Sequence, residues 1–123
     1  MIRRVEHGAQ AHVRQKLWEA LRCLVSNESF RDRLIYAAGP LTQLPRNEIE
    51  QLPDGVRDRL RSVVDALTEH PAPPHWVAAQ SRLGSAGVLF SGIGASVRKL
   101  TPRQRRKIAE EILSLFVALS GGL

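Results

Sequence analysis

Apolar residues recur along this chain with the period of an α-helix almost from one end to the other. Val13, Leu17, Ala20, Leu21 and Leu24 fall on one face of a first helix over about residues 6–25. Trp18 and Val25 widen that stripe, and Lys16, Glu19 and Arg22 lie outside it. The polar run Ser26, Asn27, Glu28, Ser29 interrupts the pattern. Phe30, Leu34, Ile35 and Ala38 then predict a short second helix, opened by Ser29 with Asp32 as a capping box and stopped by Gly39 and Pro40. In the following PLTQLPRNEIEQLPDG the tripeptide Gln-Leu-Pro occurs twice. Each proline can open a helix and disfavours helix in the leucine before it, so residues 45–51 read as one or two turns with Leu44, Ile49 and Leu52 inward. Val56, Leu60, Val63, Val64 and Leu67 predict a third main helix from about Pro53, closed by His70 and Pro71.

HPAPPH at 70–75 is a stiff, proline-rich connector and a candidate hinge. Beyond it, Trp76, Ala79, Leu83, Ala86, Phe90, Ile93, Val97 and Leu100 keep heptad a/d spacing without a miss, which predicts a fourth helix over 74–100. Gly84, Gly87, Gly92 and Gly94 oppose it, at a summed cost of about 4 kcal/mol relative to alanine. The expected outcome is a helix kinked or split near Gly92. A hairpin pairing 88–90 with 93–97 is the competing arrangement.

TPRQRRKIAEEILSLFVAL, residues 101–119, carries the clearest start signal: Thr101 as N-cap, Pro102 at the first helical position, and Gln104 completing a capping box. Ser120, Gly121 and Gly122 end it. Ile108, Ile112, Leu115, Phe116 and Leu119 form a core stripe. Ala109, Leu113 and Val117 extend the apolar arc past half the circumference, as in a central bundle helix or one that faces the core on one side and a partner subunit on the other. These patterns together predict an all-α fold, a compact bundle of four to five helices in one domain over 1–123 with a Gly-rich, kinked fourth helix.

Charge changes this picture by its location. Net charge is +6, but residues 1–69 hold 11 Lys/Arg against 10 Asp/Glu, whereas residues 70–123 hold 7 against 2, with no acid between Glu69 and Glu110. Six of the ten residues 98–107 are basic: Arg98, Lys99, Arg103, Arg105, Arg106 and Lys107. Cations at a helix N-terminus oppose its dipole, and Arg106 with Glu110 and Lys107 with Glu111, both i,i+4, are placed to recover part of the cost. The cluster reads either as a solvated basic face or as a binding site for nucleic acid or an acidic partner, in which backbone N–H groups and cations converge on an anion. With few aromatics nearby, nucleic-acid contact would be to the backbone and not to bases.

Chemistry is harder to find. Gly87 and Gly92 have P-loop spacing, but Ile93 and Gly94 follow where Lys and Ser/Thr are needed. His7, His12, His70, His75 and the lone Cys23 lack zinc spacing, so no metal and no cofactor are expected. Gly-x-Ser-x-Gly and HExxH do not occur, and no small-molecule substrate is evident. Glu48 with Glu50 is an example of an acid pair that folding could bring together, and solvated helix acids are its ordinary reading. An enzyme is not expected. A single cysteine forms no internal disulfide, no apolar run reaches membrane-span length, and MIRRVEHGAQAH has no secretory apolar region, which points to the cytoplasm and no membrane.

KLWEAL, RDRL, the LP-punctuated turns, VVDALT and the closing Thr-x-x-Gln plus IAEEILSLF resemble a type of short all-α bacterial protein without a named family. The likeness covers about two-thirds of the chain through helix patterns. It implies a fold and no activity, cofactor or catalytic residue. The Gly-rich stretch and the basic run around Arg105 depart from it. The expectation is a non-enzymatic interaction module, a subunit or adaptor of a larger assembly, with protein contact or self-association through Ala109, Leu113 and Val117 and with the basic cluster as second contact. RNA or DNA binding through the phosphate backbone is the alternative.

Overall fold

A computed structural model describes residues 2–121, with side chains from residue 8 to residue 121; Gly122 and the side chains of Glu6 and His7 lie outside the described residues. Helix α1 (Ile2–Leu24) buries Ala9, Val13, Leu17 and Ala20, spaced so that one stripe meets its neighbours. Its end is held by Arg33, whose Nη1 donates to the Leu24 carbonyl at 2.8 Å. Ser29 caps α2 (Phe30–Thr42) by accepting from the Asp32 N–H. This helix lies along α1 and is the most deeply buried, with Leu34, Ile35, Ala37, Ala38 and Leu41 fully enclosed.

The second helix does not stop at Gly39 and Pro40; it continues to Thr42. Pro40 lacks the N–H that would reach back one turn, a defect confined here to the final turn. Thr42 Oγ1 and the Gln43 N–H both donate to the Gly39 carbonyl. Burying Leu41, worth about 1.5–3 kcal/mol, outweighs a local start-and-stop rule.

Helix α3 (Arg46–Glu50) is the expected short element, with Leu44, Ile49 and Leu52 buried around it. Helix α4 (Asp54–Leu67) buries Leu60, Val63 and Leu67. From Pro74 the chain makes a 3₁₀ turn (Pro74–Trp76), helix α5 (Val77–Leu83), a 3₁₀ segment (Gly84–Phe90) and helix α6 (Gly92–Lys99). Among the described residues there is no strand, so the heptad pattern forms helix and not a hairpin. It is broken twice. Gly84 takes φ +58, a conformation that ends α5. At the second break, Ser91 caps α6 by accepting from the Gly94 N–H. Gly94 is required by proximity: a Cβ there would run into the Leu89 carbonyl oxygen.

The 70–75 connector is tied to α6 by Ser96, 1% exposed. Its hydroxyl accepts from the His70 N–H at 2.8 Å and has the Gly92 carbonyl (2.8 Å) and the His70 carbonyl (3.2 Å) within reach of its proton. Helix α7 (Pro102–Leu119) closes the bundle against α1 and α4. One core joins α1–α4, α6 and α7. No helix among the described residues is long and apolar enough to cross a membrane.

Candidate interaction surfaces on the C-terminal helix

The capping box that opens α7 is complete: the Gln104 N–H donates to Thr101 Oγ1 at 3.1 Å, and the Thr101 N–H donates to Gln104 Oε1 at 2.8 Å. This fixes the corner between α6 and α7 and thereby sorts the six bases of residues 98–107 into two kinds. Arg98 turns inward. Its guanidinium sits 5.0 Å from the Trp76 ring centroid and 5.3 Å from that of Phe90, two rings that meet edge to face at 5.5 Å, and it donates to the Leu89 carbonyl. Burial, and then the positive charge of Arg31, lower its pKa from the ordinary guanidinium value. Arg105 turns back onto α6, where its Nε donates to the Val97 carbonyl at 3.0 Å and its Nη2 to the Arg98 carbonyl at 3.3 Å. A cation on the last carbonyls of a helix complements the negative end of its dipole. Lys99, Arg103, Arg106 and Lys107 are exposed, and no salt bridge engages them among the described residues.

Lys107 does not take Glu111. Arg59, reaching across from α4, donates Nε at 3.0 Å and Nη2 at 2.5 Å to the two carboxylate oxygens, and Nη2 also reaches Ser114 Oγ at 2.7 Å. The planar fork outcompetes a flexible ammonium for a two-oxygen acceptor. That hydrogen bond holds the Glu111 carboxyl below its usual pKa, against a smaller upward push from burial. The partner of Arg59 lies 52 residues away along the chain, and no local pattern announces such a pair. An open groove of about 590 Å³ runs between α4 and α7 beside this bridge, floored by Val63, Ala66, Leu100 and Ile108.

On the opposite flank of α7, Ala109 and Val117 are half-buried and Leu113 is 51% exposed. Phe116, one turn from Leu113, stacks on Trp18 of α1 with centroids 5.8 Å apart and planes at 34°. Trp18 is itself 47% exposed. The interface residues expected on α7 therefore continue onto α1 through an aromatic pair, a continuation that periodicity within either helix does not reveal. Arg14 and Arg22, one turn either side of Trp18, are exposed as well.

Elsewhere, His12 Nδ1 stands 2.6 Å and 2.7 Å from the two oxygens of Glu48, while Glu50 is exposed. No group of three His, Cys, Asp or Glu that could hold a metal ion occurs among the described residues. Comparison with protein-family models, with curated proteins and with solved structures finds no match.

Proposed function

We propose that this chain is a non-enzymatic interaction module, a small subunit or adaptor of a larger cytoplasmic assembly, which meets its partner through α7. The observation that carries this reading is the half-exposed Trp18, stacked on Phe116 beside half-exposed Leu113. An exposed tryptophan stacked on a second aromatic ring, with an arginine one turn either side, is the composition of a binding hot spot, where one truncation costs about 2 kcal/mol or more. Ala109 and Val117 complete the apolar surface, and Lys99, Arg103, Arg106 and Lys107 supply the charged one. A lone thiol, Cys23, suits a reducing compartment.

The test is photo-crosslinking in living cells from a probe residue in place of Leu113, with a probe in place of Arg61 as control. A protein adduct specific to Leu113, lost when Trp18→Ala is added, is the expected result. Adducts of equal yield from both positions refute the proposal. A second reading, binding of RNA or DNA through phosphates, is favoured by the four exposed bases without ion-pair partners. It expects salt-sensitive binding of generic RNA that disappears when Lys99, Arg103, Arg106 and Lys107 become glutamate.

A further inference from the structure

The apolar ridge across α1 and α7 does not stand alone; its borders are charged, and the charge is predominantly positive. On α1, Arg14, Trp18 and Arg22 occupy successive turns of one face, all three exposed. On α7, Arg106, Leu113 and Val117 follow each other at helical spacing on the flank away from α4. Helix α7 contains two acids. Glu111 points to α4 and is engaged by Arg59, which leaves Glu110 as the one acid beside the ridge on α7. On α1 the nearest acid in sequence, Glu19, is met by Lys16 and Gln15. None of Arg14, Arg22 and Arg106 is in a salt bridge among the described residues.

This border selects among occupants. A second copy docking by a two-fold axis would bring Arg14, Arg22 and Arg106 against the same three residues, opposed by Glu110 and by Glu19, which Lys16 already engages, in a chain already at +6. Like charges facing each other oppose association, whereas an acidic rim on the partner steers encounter and fixes register. A nucleic acid would meet the arginines and could stack a base on Trp18, but it would leave the aliphatic Leu113 and Val117 without an apolar counterpart. From this we infer that the Trp18–Phe116–Leu113 ridge docks an amphipathic segment of a different protein, with an apolar stripe against the ridge and acidic residues against Arg14, Arg22 and Arg106. The inference rests on the proposed role as an interaction module and adds the chemistry of the partner.

The experiment uses the purified full chain and two fluorescent synthetic helices of about 15 residues. Both carry the same leucine stripe; glutamates flank it in one and lysines in the other. Fluorescence anisotropy reads binding, sedimentation of the chain alone reads self-association, and an oligouridylate serves as competitor. The glutamate peptide is expected to bind about tenfold tighter or more than the lysine peptide. Leu113→Glu and, separately, Trp18→Ala abolish the binding, with far-UV circular dichroism confirming that each variant is folded. The pair Arg14→Glu and Arg22→Glu reverses the preference, while Arg46→Glu with Arg61→Glu, two exposed positions away from the ridge and the basic cluster, leaves it unchanged. Equal, ridge-dependent binding of both peptides overturns the inference and leaves the interaction module standing. A dimer abolished by Leu113→Glu, with no peptide bound, overturns it in favour of a second copy. Binding displaced by oligouridylate, or the absence of any binding that depends on Leu113, removes both the inference and the proposal beneath it.

Discussion

Replacing the six bases of residues 98–107 one at a time should divide them into two groups by stability, before any partner is known. Arg98→Ala removes a charged hydrogen bond to the Leu89 carbonyl and the cation held over Trp76 and Phe90. The first is worth about 1.5–3 kcal/mol and the second about 0.5–2. Because the two share one guanidinium and are not additive, the expected loss is about 2–3 kcal/mol. For a chain of 123 residues each kcal/mol moves the thermal midpoint by about 3–6 °C, so a drop of about 10 °C is expected. Arg98→Lys should fall between, since an ammonium keeps the charge but loses the planar stack. Arg105→Ala, which removes the side-chain donors from the Val97 and Arg98 carbonyls and leaves Val97 only the Leu100 N–H, should cost about 1–2 kcal/mol. Arg103→Ala should be neutral or slightly stabilising, because it removes an exposed cation from the positive end of a helix. Thermal unfolding followed by far-UV circular dichroism, with urea midpoints at unchanged slope, measures all four. If Arg98→Ala and Arg103→Ala melt within about 2 °C of each other, the division drawn between inward and outward bases is wrong. The same division governs binding assays: a charge-reversed variant that includes Arg105 damages the α6–α7 corner, whereas reversal of Lys99, Arg103, Arg106 and Lys107 spares it.

Gly94→Ala should be among the most disruptive single changes, costing about 3 kcal/mol or more, because its Cβ meets the Leu89 carbonyl and backbone cannot swing away as a flexible side chain could; soluble yield and urea midpoint report it. Glu111 has a folded pKa lowered by Arg59, so its contribution is complete above the unfolded carboxylate value and is lost as pH falls through the folded one. Glu111→Gln should therefore be less stable than the native chain at neutral pH and converge with it at strongly acid pH, as read by urea titration across the acid range. If the four exposed bases do contact RNA phosphates, the logarithm of the binding constant should fall against the logarithm of salt with a slope of about 3, from four contacts on a single strand; a slope near zero excludes the second reading.

Much of the fold was legible because its determinants are local. The periodic stripes of α1, α4 and α7, the Thr101–Gln104 box and the inward Leu44, Ile49 and Leu52 follow from spacing and capping chemistry within a few residues. Helix α2 passing through Pro40 was not legible, since the reward, a fully buried Leu41, comes from neighbours distant in sequence. The 74–100 stretch showed helix and glycine signals together; the two breaks, at Gly84 and at Ser91, were set by backbone conformation and by how closely α6 approaches Leu89.

The candidate surfaces divide in the same way. Sequence alone determined that the chain is helical, that its positive charge gathers around residues 98–107, and that α7 is apolar over more than one face, because composition and period are properties of the chain itself. Only the tertiary structure decided which cations are available. Arg98 is spent on two rings and a carbonyl, Arg105 on the end of α6, and Arg59 takes the acid that spacing had assigned to Lys107. It also joined Trp18 to Phe116 and so carried the apolar face of α7 onto α1. A side chain's charge and size are written in its identity, but what it touches depends on helices brought together by a core that burial assembles as a whole.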